Sequence, residues 1–180
     1  MTLPPNALWD FAAGLYRKPP VTAACLALQE RYAPRIDLDV NVVLWCVWAA
    51  ATGRGALDAQ TLAAATGMVA HWRRDVVLPL RGARRALRAG IAPVPEAITE
   101  PVRGEIAQIE VEAERIELMM LAEVMPAPHG EPGLGAADAA ATNIQRYLSH
   151  LGIPPSAADD ADLAVILGEA FAHQQSGKSH

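Results

Sequence analysis

Three oxygen-bearing side chains alternate in the segment DLDVN, at Asp37, Asp39 and Asn41. This spacing imitates positions 1, 3 and 5 of a helix–loop–helix calcium site. The imitation then fails, because position 6 is Val42 where a glycine must make the sharp turn, and position 12 is Trp48 where a bidentate glutamate is needed. Helix capping explains the two aspartates better than metal binding, and we predict no metal site.

The other residue types that carry catalysis show no pattern typical of an active site. The histidines form no H-x-x-x-H pair, the serines lack a nucleophile-elbow context, and no glycine-rich phosphate-binding motif occurs. Cys25 and Cys46 make no C-x-x-C pair, which indicates reduced, buried thiols in a cytosolic protein. We therefore predict no catalytic residue and no cofactor, and the sequence leans against an enzyme.

Aromatic and amide side chains offer a candidate pocket. Gln29 ends an apolar helical face, and Asn41 lies in the first turn of an otherwise apolar helix. A buried amide costs free energy unless it is paired, so we expect each to hydrogen-bond the backbone at a helix end. The alternative is a ligand contact. In that case the pocket would be lined by Trp9, Gln29, Asn41, Trp45 and Trp48.

Charge is divided unequally between the two halves of the chain. Residues 1–90 carry 11 basic and 6 acidic side chains, whereas residues 91–180 carry 4 and 14, for a net charge of −5. The basic excess concentrates on one predicted helix, where six arginines fall within about 120° of arc. This arginine stripe consists of Arg73, Arg74, Arg81, Arg84, Arg85 and Arg88.

Two interpretations of the arginine stripe remain open. In the first, its helix packs antiparallel on the next helix, whose glutamates pair with the stripe; the short linker Gly90 to Pro95 favours this hairpin. In the second, the stripe is free and binds an anionic partner. The net charge of −5 and the lack of interleaved aromatic residues disfavour nucleic acid.

Helices must position all of these residues. Alanine, the best helix former, makes up about one residue in five, and apolar residues recur at helical spacing. The run from Val42 to Ala51 is apolar throughout, with Asp39 as its N-cap and Gly53 as its terminating residue. We predict an all-α fold: a single compact bundle of about seven to eight helices over residues 1–172, with a central apolar helix at about residues 39–52. Residues 173–180 are predicted to form a disordered polar tail.

Two further helices carry specific expectations. Gly67 and Pro79 predict a break and a kink around the arginine stripe. The longest helix is predicted at about residues 101–125, where Val111 and Leu118 would form an exposed contact patch. Its buried stripe would consist of Val102, Ile106, Ile109, Ala113, Ile116 and Met120.

The first half of the chain resembles a bacterial family known only as a domain of unknown function. Four blocks carry the resemblance: LWDFAAGLY (Leu8 to Tyr16), VTAACLALQ (Val21 to Gln29), DVNVVLWCVW (Asp39 to Trp48) and HWRRDVVLPLR (His71 to Arg81). The resemblance covers about half of the chain. It implies no activity, cofactor or partner.

These observations favour a cytoplasmic, non-catalytic protein–protein interaction or adaptor module. We expect an unknown protein partner and allow for a homo-oligomer. The alternatives are a small-molecule-binding protein or enzyme with a tryptophan-lined pocket, and an anion or nucleic-acid binder acting through residues 73–88. No membrane span is predicted, because ten apolar residues are half of the ~20 that a span needs, and the N-terminus shows no signal peptide.

Overall fold

Helices account for nearly all of the regular structure. The computed structural model describes residues 3–90, 92–127, 134–154 and 156–175, without the side chains of residues 89 and 173–175. Within these ranges the elements are α1 (Ala7–Tyr16), α2 (Pro19–Tyr32), α3 (Val40–Ala51), α4 (Ala59–Trp72), a π-helical turn (Arg73–Val77), α5 (Leu78–Ala89), α6 (Glu96–Glu123), α7 (Ala136–His150) and α8 (Ala157–Gln175). The predicted all-α bundle is confirmed. Of the predicted tail, residues 173–175 belong to α8, and residues 176–180 lie outside the described residues.

Local capping signals set several helix ends where the sequence predicts them. The predicted N-cap Asp39 accepts a backbone N–H from the first turn of α3, and Asn6 and Asp58 do the same for α1 and α4. Gly53 follows α3 with a φ of 77°, a left-handed conformation that glycine adopts without steric cost. These ends form because their hydrogen bonds join residues close together in the chain.

The central helix is α3. It is buried almost all round, and Trp45 and Val43 are 0% exposed. Helices α1, α2, α6, α7 and α8 all pack against it. Burial raises the pKa of the Cys25 thiol to about 12 and also raises that of Cys46 inside α3, so both thiols stay protonated at neutral pH. No helix within the described ranges combines the length and the apolar character needed to cross a bilayer.

Asn143 of α7 holds the loop between α3 and α4. Its side chain is 0% exposed and accepts the Leu57 N–H at 2.6 Å. Its amide donates to the carbonyl oxygens of Cys46 at 3.3 Å and Gly55 at 3.1 Å. A single polar side chain of α7 therefore bonds to three backbone groups, one in α3 and two in the loop that follows it.

The join between α4 and α5 differs from its prediction. Gly67 does not interrupt α4, which continues to Trp72, and the distortion takes the form of a π-helical turn directly before Pro79. In this turn the Leu78 N–H bonds to the Arg73 oxygen, five residues back. Proline lacks an N–H and its ring clashes with the carbonyl four residues earlier, so a wider turn at this point relieves both defects.

The face of α6 that is buried also differs from its prediction. Val102 and Ile109, assigned to the buried stripe, are 49% and 54% exposed, whereas Leu118, assigned to a surface patch, is 2% exposed. The buried residues of α6 are Thr99, Glu110, Ala113, Glu117, Leu118 and Leu121. The aliphatic spacing predicted the wrong face because two glutamates of this helix are buried in ion pairs. Glu117 pairs with Arg73, and Glu110 pairs with Arg81 and Arg84.

Candidate functional site

A cavity of about 280 Å³ opens between α1, α2, α3, α5 and α6. Its wall is mostly apolar, with a few polar and charged side chains, a composition typical of small-molecule sites. The lining residues are Trp9, Ala12, Ala13, Tyr16, Arg17, Gln29, Asp39, Val40, Asn41, Leu44, Arg81, Val111, Glu114 and Leu118. Arg115 lies over the Trp9 ring, 5.6 Å from its centroid, next to this wall.

The structure brings together three of the five predicted pocket residues, Trp9, Gln29 and Asn41. Trp45 is 0% exposed and packs in the core, away from the cavity wall. Trp48 lies two helical turns beyond Asn41, or ~10 Å along α3, and its ring packs under Arg54 at 5.0 Å. The tryptophan-lined version of the pocket is therefore wrong, because only one tryptophan faces the cavity.

Several polar groups of the cavity wall have no hydrogen-bond partner among the described residues. They are the Tyr16 hydroxyl, the Gln29 side-chain amide, the Asn41 Oδ1 atom and the Glu114 Oε2 atom. The expectation that Gln29 and Asn41 bond backbone at a helix end is wrong, since Asn41 donates instead to Glu117 Oε2 at 2.6 Å. These four side chains are half-buried, so their unpaired groups can bond to water or to a ligand that enters the cavity.

Behind the cavity, Arg73 of the π-helical turn enters the interior. Its side chain is 7% exposed and binds both oxygens of Asp37, with Nη2 donating to Oδ1 at 2.7 Å. Its Nη1 atom lies 2.9 Å from Asp39 Oδ1 and 3.7 Å from Glu117 Oε2. The Asp39 N–H donates to the Tyr147 hydroxyl at 2.9 Å. One arginine thus joins the N-terminus of α3 to α6.

Glu117 is fully buried within this cluster. Burial and the charge of Asp39 outweigh the attraction of Arg73 and raise the pKa of Glu117 to about 9. Glu117 is therefore neutral at pH 7 and can donate a hydrogen bond. The Asp39 Oδ2 and Glu117 Oε1 atoms are both buried without another partner among the described residues, and a proton on Glu117 allows these two carboxyl groups to pair.

Two arginines of α5 pair with α6, as the hairpin interpretation predicts. Arg81 donates to Glu110 at 3.2 Å and to Glu114 at 2.5 Å, and Arg84 donates through Nη2 to Glu110 at 3.1 Å. Although burial opposes it, the hydrogen bond from Arg84 lowers the pKa of Glu110. Burial raises the pKa of Glu114, so its charged form is only partly compensated by Arg81.

The arginine stripe is not one continuous surface. Arg73 is buried, and Arg81 and Arg84 are committed to α6, whereas Arg74 pairs on the exposed side with its neighbour Asp75. Arg85 and Arg88 are exposed and form no ion pair with any described residue. Binding of an anionic partner by this pair stays a prediction.

Charge reversal at α5 separates the paired from the unpaired arginines. Arg84→Glu is expected to lower the free energy of unfolding by about 1–2 kcal/mol, because it removes the pair with Glu110 and adds repulsion. The matched control Arg85→Glu should change it by less than ~0.5 kcal/mol. Urea unfolding at low and high salt measures both, and the Arg84 effect should shrink in salt. Equal losses in the two variants would contradict the pairing.

Sequence reasoning missed several residues of this region. Tyr16, Leu44, Glu114 and Leu118 line the cavity, yet their spacing in the sequence carries no sign of a shared site. Nothing in the sequence indicated that Glu117 is buried. The one available signal was the surplus of arginine just before an acidic helix, which predicted pairing without showing that part of it is buried.

Metal binding finds no support in the described part of the chain. There, no group of three or more histidine, cysteine, aspartate or glutamate side chains is arranged to hold an ion. The carboxylates around Arg73 are each engaged by the guanidinium group, by Asn41 or by backbone N–H groups.

Comparison with known proteins places the cavity inside a family domain. The family model for "Protein of unknown function (DUF2390)" matches residues 7–121. Every residue that lines the cavity lies within this matched segment, whereas α7 and α8 lie beyond it. No curated protein and no solved structure gives a significant match. The match spans well over half of the 180 residues, and the chain therefore belongs to the DUF2390 family of proteins of unknown function.

Proposed function

We propose that this protein binds a small molecule in the cavity between α1, α2, α3, α5 and α6. The observation that carries the proposal is the set of unpaired polar groups on an otherwise apolar wall. Tyr16, Gln29, Asn41 and Glu114 all line one space of about 280 Å³. These groups are half-buried, and an apolar wall with a few such polar groups is the usual composition of a small-molecule site.

The rigidity of the surrounding helices supports this proposal. Asn41 is held by its bond to Glu117, and Asp39 by Arg73 and Asn41. Leu118 and Leu44 are buried and form part of the apolar floor. A site held by such contacts is largely formed before its ligand arrives, which reduces the entropic cost of binding.

Ligand-induced stabilisation tests the proposal. A library of small polar-headed compounds is screened by the shift in melting temperature, and a compound at about 100 times its Kd should stabilise the protein by about 2.7 kcal/mol. Ala13→Phe fills the cavity and should abolish the shift, whereas the control Ala23→Phe changes an exposed position of α2 and should retain it. Shifts that persist in Ala13→Phe would overturn the proposal.

Protein–protein interaction is a second candidate, and the exposed α6 stripe favours it. We define this stripe as Ile98, Val102 and Ile109, which are 65%, 49% and 54% exposed on one face of α6. The acidic side chains of Glu105 and Glu112 lie beside it on the same helix. An amphipathic helix with an apolar face and basic flanks is the partner that fits this surface.

A model peptide tests the second candidate without a known partner. A Leu/Lys amphipathic helix should bind the purified protein in fluorescence anisotropy, and a Leu/Glu helix of the same pattern should bind more weakly. Ile109→Asp should remove the binding, while Val165→Asp, at an exposed position of α8, should not. Equal binding by both variants would contradict a role for the α6 stripe.

A further inference from the structure

One face of the α5–α6 hairpin is apolar and largely open to solvent. The α6 stripe, Ile98, Val102 and Ile109, is 65%, 49% and 54% exposed. Helix α5 makes most of its contacts with α6 and with the π-helical turn before it, so it forms an outer layer of the fold. An apolar helix face is normally buried against another element, and the described part of the chain leaves this one about half exposed.

Helix α5 adds its own apolar side chains to this face. At about 100° per residue, Leu80, Ala83 and Leu87 lie on the side of α5 that is turned away from the cavity-lining Arg81. Ala83 is exposed, and the two leucines are half-buried. On α6 the stripe likewise lies away from Val111, which lines the cavity. The two helices therefore present one apolar surface on the side of the hairpin opposite the cavity.

The two helices that form this surface carry opposite charges. Helix α5 contains four arginines and no acidic residue, whereas α6 contains eight glutamates and two arginines. A second copy of the same hairpin therefore presents a basic helix to α6 and an acidic helix to α5. Such a surface is complementary to itself, as a two-fold symmetric interface requires.

We propose that two copies of this chain associate through their α5–α6 hairpins and form a four-helix bundle. In this dimer α5 of each copy lies over the α6 stripe of the other, and the two-fold axis runs parallel to the helices. Each basic helix then lies between two acidic helices that run antiparallel to it. Packing of α6 on α6 would instead bring two acidic helices together. This inference rests on the second candidate function and names the partner of the α6 stripe.

The size of the surface determines the expected strength of the dimer. The surface extends along α6 from Ile98 to Ala113, whose carbonyl oxygen accepts from the Trp72 indole at 2.9 Å. This segment is ~23 Å long and two packed helices are ~20 Å wide, so the two copies together would bury about 900 Å². Interfaces of this size belong to weak or transient complexes, and we therefore expect a dissociation constant of about 1–100 µM.

Sedimentation equilibrium at protein concentrations of about 1–500 µM tests for the dimer. Ile109→Asp places a charge in the proposed interface and should raise the dissociation constant about tenfold or more. The control Val165→Asp changes an exposed position of α8 and should keep the wild-type value. Both substitutions lie at exposed positions, and circular dichroism establishes that both variants are folded before association is compared.

Cysteine cross-linking tests which helices meet in the dimer. Ala83 and Ile109 directly precede the paired residues Arg84 and Glu110, so they lie at about the same height along the hairpin. In the proposed dimer Ala83 of one copy therefore lies near Ile109 of the other. Under mild oxidation, an equal mixture of Ala83→Cys and Ile109→Cys should form a mixed disulfide dimer faster than either variant links to itself. The two native cysteines are buried and do not compete.

The outcomes separate the dimer from the second candidate function. A wild-type protein that stays monomeric at about 500 µM overturns the inference, and so does a dimer that Ile109→Asp leaves intact. Faster cross-linking of Ile109→Cys to itself than to Ala83→Cys also overturns it, because that result places α6 on α6. If the protein stays monomeric and still binds the Leu/Lys helix, the second candidate function stands and the partner of the stripe is a different protein.

Discussion

Replacing Arg73 by alanine is expected to lower the free energy of unfolding by about 3–5 kcal/mol, the largest loss that we expect from one substitution. The guanidinium group is 7% exposed and lies 2.9 Å from Asp39, whose side chain is 5% exposed. Without the arginine, Asp39 remains as a buried carboxylate with no cation nearby. Urea unfolding followed by circular dichroism measures the loss.

The neighbouring residue is the matched control for Arg73. Arg74 differs by one position and has the same side chain, but it is 62% exposed and bonds at the surface to Asp75 and to the His71 ring. Arg74→Ala should cost less than ~1 kcal/mol. Comparable losses for the two variants would show that burial of Arg73 does not determine its importance.

Replacing Glu117 by glutamine is expected to stabilise the protein at alkaline pH. In the wild type the pKa of Glu117 is about 9 in the folded state, against an ordinary value of 4.5 in the unfolded state. Between these values the unfolded chain is ionised and the folded chain holds a proton, so stability falls as pH rises. The slope reaches about 1.4 kcal/mol per pH unit for one proton. Glutamine resembles the protonated side chain and does not titrate.

The difference between the wild type and Glu117→Gln isolates this effect from other titrating groups. At pH 5 the two proteins should differ by only about 1 kcal/mol, because Glu117 is protonated in the folded state and the pH lies just above its ordinary pKa of 4.5 in the unfolded state. At pH 8.5 the variant should be more stable by at least about 2 kcal/mol. Urea unfolding at both pH values measures the difference, with Glu105→Gln as an exposed control. A difference that does not change with pH would show that Glu117 is ionised in the fold.

Much of the architecture could be predicted from the sequence, because its causes are local. Alanine content, apolar spacing and the capping residues Asn6, Asp39 and Asp58 act within a few residues, and they led to an all-α bundle with α3 at its centre. The pairing of the α5 arginines with α6 was also one of the two predicted arrangements. A short linker and opposite charges were sufficient to suggest it.

The assignment of faces on α6 could not be predicted in the same way. Periodicity treats aliphatic residues as buried and glutamates as exposed, and it therefore placed Ile109 inside and Glu117 outside. The true order is the reverse, because burial of Glu117 depends on Arg73, Asn41 and a proton. Arg73 and Asn41 are distant from Glu117 in the sequence, and a bound proton does not appear in a sequence.

The residues of the candidate site also divide into those that the sequence indicated and those that it did not. Trp9, Gln29 and Asn41 were predicted from the sequence, because an aromatic or amide side chain is conspicuous in an apolar setting. Trp45 and Trp48 met the same criterion and yet do not reach the cavity. Glu114, which also lines the cavity, carried no signal at all. A cavity between five helices is defined by how they pack, and residue type alone cannot supply that.

Arg73 and Arg74 show most directly what could not be determined from the sequence alone. The sequence by itself determined the helices, the caps of α1, α3 and α4, and the concentration of arginine before an acidic helix. Only the tertiary structure decided which of two identical neighbours is buried. The π-helical turn before Pro79 places the Arg73 side chain against Asp39 and leaves the Arg74 side chain in solvent. This follows because the extra residue in the turn rotates the chain relative to the packed faces of α3 and α6.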